Sequence, residues 1–191
     1  MMVRVPSALM LASSVSLFIM GCMPKMSIED MKAMRPRRPP ELDKLNAFVG
    51  RWQWEGHGKI AGLDRPLRFT GERETQWEGD GWYLVTREVG NMEGLGESKL
   101  MAMWAYDARS RKFRLTWADS MGTIATGTAR FDEKANTWHL RATSRSPSGT
   151  TVGRGRVRFP NPDTMEWDWT EYAMGGLRKT MELKGTCNRT P

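Results

Sequence analysis

RVRFPNPDTMEWDW, residues 156–169, alternates apolar and charged or polar side chains on both sides of a short segment rich in proline. Alternation with a period of two predicts β-strands, and Pro, Asn and Asp between the two runs predict a turn. If residues 160–164 form a five-residue loop, the two strands pair in one register. That register sets Phe159 against Met165 and Val157 against Trp167 on the inner face, and Arg158 against Glu166 and Arg156 against Asp168 on the outer face.

The same period of two recurs from Arg51 onward, for example at Phe113, Leu115 and Trp117. Segments rich in turn-forming residues separate the runs. They lie at 61–66, 78–81, 91–97, 107–111, 120–122, 132–136, 146–150, 160–164 and 173–176. Each is too short for a helical crossover, so about ten consecutive strands are expected to pair antiparallel and to close on themselves. We therefore predict an all-β fold, an antiparallel up-and-down β-barrel.

The barrel domain is predicted over residues 41–189 and begins with a short helix. Within residues 41–49, ELDKLNAFV, the apolar side chains follow helical spacing, and Gly50 is a natural stop. A barrel that spans a membrane is disfavoured by the outer face of the hairpin. Arg154, Arg156 and Arg158 would each cost about 2–4 kcal/mol near the midplane of a bilayer.

The amino-terminal segment resembles a bacterial lipoprotein signal peptide. Arg4 precedes the apolar run 9–20, and Ile19-Met20-Gly21-Cys22 has the form of a lipobox. This pattern predicts cleavage after residue 21 and acylation of Cys22, with the barrel held outside the cytoplasm in the cell envelope. An ordinary secretory signal and an uncleaved anchor are the alternatives. Inner and outer membrane are not distinguished.

A basic tether is predicted between the signal peptide, residues 1–21, and the barrel. Residues 22–40 end in Arg-Pro-Arg-Arg-Pro-Pro, which disfavours a helix and predicts disordered, extended backbone. The chain carries a net charge of +7. Such a charge favours acidic partners such as lipid headgroups, and export excludes nucleic acid. The sequence leaves the oligomeric state open.

Tryptophan is the most informative residue type for ligand binding, because nine are present. A barrel of about ten strands is wider than the eight-stranded barrel that side chains just fill, which favours a pocket. A filled barrel without a ligand is the alternative. The tryptophans predicted to face inward, and therefore the candidate ligand-binding residues, are Trp52, Trp54, Trp104, Trp117, Trp138, Trp167 and Trp169.

Asp119 lies two residues after Trp117 and therefore has the same parity along the strand, which means that it is expected to face inward as well. It is a candidate ligand-binding carboxylate at the barrel mouth. Two alternatives stand beside that role: an Asx turn over Asp119–Gly122, and an enzyme built on Asp119. No nucleophilic triad or Gly-x-Ser-x-Gly elbow occurs in the sequence, so we assign no catalytic residue. His57 is expected in a rim or loop and His139 on the outer surface, and neither metal nor cofactor is expected.

Two segments resemble known proteins. Leu45–Trp54, LNAFVGRWQW, resembles the helix and Gly-x-Trp opening of calycin-like barrels. Met103–Gly122, MWAYDARSRKFRLTWADSMG, is similar to the signature of the bacterial domain of unknown function fifteen-seventy-nine, and the resemblance covers residues 39–189.

The resemblance implies a calycin-like barrel, related to lipocalins, fatty-acid carriers and haem-binding nitrobindin-like proteins, and it supplies no established activity or residue role. Haem binding does not carry over, because His57 and His139 are the only histidines and neither is near the carboxyl terminus. We predict a lipid-anchored envelope protein that binds a small apolar or amphipathic ligand. An interaction lipoprotein with a filled barrel is the main alternative.

Overall fold

The computed structural model describes residues 26–191, in which β-strands dominate. The helices are α1 (Ile28–Ala33) and two 3₁₀-helices, Pro40–Phe48 and Met174–Gly176. The strands are β1 (Gly50–Ile60), β2 (Leu67–Glu78), β3 (Tyr83–Met92), β4 (Gly96–Asp107), β5 (Lys112–Asp119), β6 (Ile124–Asp132), β7 (Thr137–Ser146), β8 (Gly149–Asn161), β9 (Thr164–Ala173) and β10 (Arg178–Thr190).

The ten strands form one closed antiparallel barrel in which each strand pairs with its neighbours along the chain. Closure comes from β1 and β10, where Trp54 lies opposite Cys187. The predicted up-and-down barrel is therefore confirmed, and each predicted turn overlaps the connection between two consecutive strands. A closed barrel leaves no strand edge unpaired, which explains why a meander of this length closes.

The hairpin of β8 and β9 has the predicted register as far as Arg158 and Glu166, but the predicted pair of Phe159 and Met165 is not formed, because the register shifts beyond Arg158. Arg158 pairs with Glu166 and Val157 with Trp167, and Arg156 Nε donates to Asp168 Oδ2 at 2.9 Å on the outer face. The loop is shorter than the five residues predicted, because Asn161 pairs with Thr164. The Asn161 side chain also accepts the backbone N–H of Asp163 at 2.9 Å, which tightens the turn. The register shift between Arg158 and Asn161 absorbs one extra residue of β8.

The predicted short helix is present as the 3₁₀-helix Pro40–Phe48. Its buried side chains, Leu42, Leu45 and Phe48, recur every three residues. A 3₁₀-helix has three residues per turn, so this spacing places all three on one face, against the barrel core. Trp52 Nε1 donates to the Phe48 carbonyl at 3.0 Å and fixes the entry into β1.

The chain divides into two compact units, and the second, Arg38–Pro191, is the barrel. Within the first unit, the segment predicted as an extended tether instead contains α1. A capping box explains this correction: Ser27 Oγ accepts the Asp30 N–H at 3.0 Å, and the Asp30 carboxylate accepts the Ser27 N–H at 2.9 Å. The predicted signal peptide and Cys22 lie outside the described residues. No helix within residues 26–191 has the length and apolar character needed to cross a membrane.

Candidate functional site

The two ends of the barrel interior differ in packing. At the closed end, which the helix Pro40–Phe48 covers, Trp52, Trp104 and Trp138 are at most 8% exposed. The open end carries the loops 61–66, 93–95, 120–123, 147–148 and 174–177. Towards it, inward-facing side chains such as Trp117 and Trp169 are only half-buried. Since a side chain that points into a closed barrel meets solvent through the interior, the open half of the barrel is accessible.

All seven tryptophans predicted to face inward do so, as their cross-strand partners establish. Trp52, Trp54, Trp104 and Trp138 are buried in the core. The remaining three, Trp117, Trp167 and Trp169, are half-buried. Trp117 on β5 and Trp169 on β9 meet across the interior with ring centroids 5.6 Å apart. The candidate ligand-binding tryptophans therefore divide into a packed group and an accessible group.

Inward-facing glycines hold the aromatic rings against the barrel wall. The Trp169 indole spans Gly153 and Gly155 on the neighbouring strand, and a Cβ at either glycine would overlap the ring. The Trp167 indole covers Gly185 in the same way. The Trp167 and Trp169 rings therefore lie along the wall of the barrel. The alternation Gly-Arg-Gly-Arg at residues 153–156 is the sequence pattern that indicates glycines on the inner face, although the sequence analysis did not use it.

Glu171 is a site residue that the sequence analysis missed. It lies opposite Gly153 on β9, with the same inward parity as Trp169. Its carboxylate accepts hydrogen bonds from Thr151 Oγ1 at 2.7 Å, Trp169 Nε1 at 2.9 Å and Ser144 Oγ at 3.4 Å. The spacing Trp167, Trp169, Glu171 would have indicated it, because residues two apart on a strand share one face.

An ion pair is a second polar feature of the interior. Arg73 Nε donates to Glu88 Oε2 at 2.7 Å, and the two side chains are only 23% and 15% exposed. Burial acts to lower the pKa of the Arg73 guanidinium, but the Glu88 carboxylate outweighs it and leaves that pKa above its ordinary value. Both charges are therefore satisfied within the barrel.

Cys187 is a buried thiol close to that ion pair. Burial raises the pKa of Cys187 to about 11, and the positive charge of Arg73 acts in the opposite direction. The side chain has no exposed surface. A buried, protonated thiol is a poor nucleophile, so Cys187 is a core residue.

Asp119 forms an Asx turn, one of the two alternatives to ligand binding that the sequence left open. Its Oδ1 accepts the backbone N–H groups of Met121 at 2.9 Å and Thr123 at 3.0 Å. Leu100 faces it across the strand pair, which confirms its inward parity at the open end. The carboxylate is thus engaged in holding the β5–β6 loop.

The histidines lie on the outer face of the barrel. His139 is half-buried and pairs with Arg130 and Arg156, in agreement with the prediction. His57 was predicted in a rim or loop, but it lies within β1, because β1 continues through the flanking glycines to Ile60. In residues 26–191, no group of three or more His, Cys, Asp or Glu side chains is arranged to hold a metal ion.

The loops at the open end carry exposed apolar side chains. Leu63, Leu95, Met121, Met174 and Leu177 are 45–87% exposed. In the described loops of the closed end, Trp82 is the one large apolar residue that is exposed. The rim of the open end is therefore apolar, and exposed apolar patches of this kind mark interaction sites.

A surface depression of about 1350 Å³ lies mostly on the outer face of β1, β9 and β10, and Trp167 is among the residues that line it. Charges of both signs line it, and several neutralise each other. Arg156 pairs with Asp168 and Arg158 with Glu166. Because these exposed pairs are already satisfied, the depression offers weaker recognition chemistry than the open half of the barrel.

Comparison with solved structures finds similar barrels. The crystal structure of Rv2717c from M. tuberculosis matches with a TM-score of 0.62 and 15% identity, over 81% of this chain and 100% of that chain. The S-type phycobiliprotein lyase CPES from Guillardia theta matches with a TM-score of 0.58 and 11% identity, over 86% of this chain and 98% of that chain. At these identities the similarity establishes the fold alone.

No curated protein matches the sequence of this chain. The model of one protein family matches residues 39–186, which include the barrel from its first helix into β10. The signature at Met103–Gly122 lies inside that match, where β4 and β5 form a hairpin. The chain belongs to the family described as protein of unknown function (DUF1579).

Proposed function

We propose that this protein binds a small apolar or amphipathic molecule in the open half of its barrel. The observation that carries the proposal is the half-burial of the inward-facing Trp117, Trp167 and Trp169. Small-molecule sites are concave and mostly apolar, with a few polar groups that fix orientation. The open half combines three indoles with the Glu171 carboxylate and matches that description.

The rim of the open end supports the same proposal. Five exposed apolar side chains surround an entrance that leads to the half-buried tryptophans. An apolar ligand passing from water into the barrel therefore meets apolar surface along its path. The closed end offers no comparable path, since Phe48 and Trp104 stack there with ring centroids 5.2 Å apart.

Intrinsic fluorescence tests the proposal. Fatty acids and hydrophobic dyes are expected to quench tryptophan emission saturably, because a bound ligand contacts indoles in the open half. Trp117→Ala is expected to weaken the response while the protein stays folded. Trp82→Ala, which removes a 36% exposed tryptophan at the closed end, is the matched control and is expected to leave it unchanged.

A broad lipophilic panel that produces no saturable change in the folded protein would reject ligand binding. The alternative, an interaction lipoprotein without a small-molecule ligand, would then replace it. A response that Trp82→Ala weakens as much as Trp117→Ala would also count against the open half, because it would place the probe at the other end of the barrel.

We propose further that the mature protein is anchored through an acylated Cys22 in the cell envelope. The lipobox Ile19-Met20-Gly21-Cys22 supports this. Mass spectrometry of protein extracted from envelopes is expected to find a lipidated cysteine at the amino terminus. Cys22→Ala is expected to release the protein or to stall its processing. An unmodified mature terminus at another residue would contradict the anchor.

A further inference from the structure

We infer, on the basis of the proposed function, that the ligand carries a positive charge and that Glu171 binds this charge beside Trp117 and Trp169. The ligand would then be an amine or a quaternary ammonium with an apolar body. A carboxylate and two indoles lie together in the open half of the barrel, and this arrangement suits a cation with an apolar body.

Glu171 has no counter-ion in the described part of the chain. None of the ion pairs formed within residues 26–191 includes it. The register places Arg178 opposite Ala173 at the rim, but that side chain is exposed. Deeper in the interior, Arg73 is already neutralised by Glu88. A cationic ligand would therefore meet an unneutralised carboxylate.

The charge of the open half is opposite to that of the chain as a whole. The sequence has a net charge of +7. The inward-facing charged groups on β5 and β9 are nevertheless both carboxylates, Asp119 and Glu171. Asp119 is engaged by its own turn, so Glu171 dominates the recognition chemistry. An anionic ligand that is attracted to the basic exterior would be repelled inside the barrel.

The hydrogen bonds of Glu171 position the carboxylate without saturating it. Thr151, Ser144 and Trp169 supply three donors, whereas a carboxylate offers about four acceptor sites. The Trp169 N–H bond also fixes the Trp169 ring, which lies nearly perpendicular to the Trp117 ring at an interplanar angle of 81°. A cation at the remaining acceptor site gains ionic attraction from the carboxylate, next to the apolar surface of the two indoles.

Three probes with the same ten-carbon chain separate charge from apolarity: decyltrimethylammonium, decanol and decanoate. Each is titrated, below its aggregation concentration, into the folded full chain, and tryptophan quenching is measured. Only decyltrimethylammonium gains ionic attraction from the Glu171 carboxylate, and about 1.4 kcal/mol of such attraction is tenfold in affinity. We therefore expect decyltrimethylammonium to bind roughly tenfold or more tighter than decanol, and decanoate to bind weakest.

Glu171→Gln keeps the size of the side chain and an acceptor oxygen but removes the charge. It is expected to reduce the affinity for decyltrimethylammonium to that for decanol and to leave decanol binding unchanged. Glu72→Gln is the matched control, because it removes one carboxylate from the exposed outer face of β2. This control is expected to preserve the preference for the cation.

The possible results separate the two proposals. If decanol or decanoate binds as tightly as decyltrimethylammonium, or if the preference survives Glu171→Gln, the cationic ligand is rejected while the proposed function stands. If none of the probes binds the folded protein, both are rejected. Should Glu171→Gln fail to fold, the order of affinities in the unsubstituted chain still decides the question.

Discussion

Replacing Trp138 by alanine is expected to lower the free energy of unfolding by about 3–5 kcal/mol. The side chain has no exposed surface and lies at the centre of the aromatic cluster at the closed end. Its ring centroid lies 4.8 Å from Phe113, 5.0 Å from Phe131, 5.5 Å from Phe48 and 5.9 Å from Trp104. Truncation would remove these contacts and leave a cavity that the closed barrel cannot collapse to fill.

Chemical denaturation followed by far-ultraviolet circular dichroism measures this loss. Domains are typically stable by about 5–15 kcal/mol, so Trp138→Ala is expected to shift the unfolding midpoint strongly. The control Trp82→Ala alters an exposed loop residue, and its effect is expected to stay within about 0.5 kcal/mol. Equally small effects of both replacements would mean that the aromatic cluster does not stabilise the closed end.

The sequence predicted the features that depend on parity and on turn chemistry. Alternation assigned Val157 and Trp167 to one face and Arg158 and Glu166 to the other, and the register agrees. Parity works here because each strand is long and its inner face is largely apolar. The three-residue spacing of Leu42, Leu45 and Phe48 likewise predicted a helix, although helical spacing alone did not distinguish a 3₁₀-helix from an α-helix.

The sequence did not predict how deep each side chain lies along the barrel axis, because parity gives the face of a side chain but not its layer. Trp138 and Trp169 have the same inward parity, yet one fills the closed end and the other lines the open half. Their layers depend on the stagger between neighbouring strands, which pairwise alternation does not encode. Glu171 was missed for a related reason: its spacing from Trp167 and Trp169 gives its face, but not that its carboxylate lies in the half-buried layer of the interior.

Removing one partner of the interior ion pair is expected to destabilise the protein substantially. Glu88→Gln would leave the Arg73 guanidinium without a compensating charge in a position where it is 23% exposed. Breaking buried pairs costs about 3–5 kcal/mol, and the remaining exposure places this one at about 3 kcal/mol. Denaturant titration measures the loss. Glu74→Gln, which breaks the exposed pair with Arg51, is the control and is expected to cost less than about 1 kcal/mol.

A double replacement, Arg73→Met with Glu88→Leu, tests the physical cause of that loss. If the cost of Glu88→Gln comes from the uncompensated charge, then removing both charges and filling their volume is expected to restore most of the stability. The neighbouring hydrogen bond between Thr75 and Thr86, 3.0 Å long, would remain in place. A double variant as unstable as Glu88→Gln would instead show that the geometry of the pair itself holds β2 against β3. In either case Glu171, on β9, would keep its own hydrogen bonds, so binding of a cationic probe is expected to survive the double replacement.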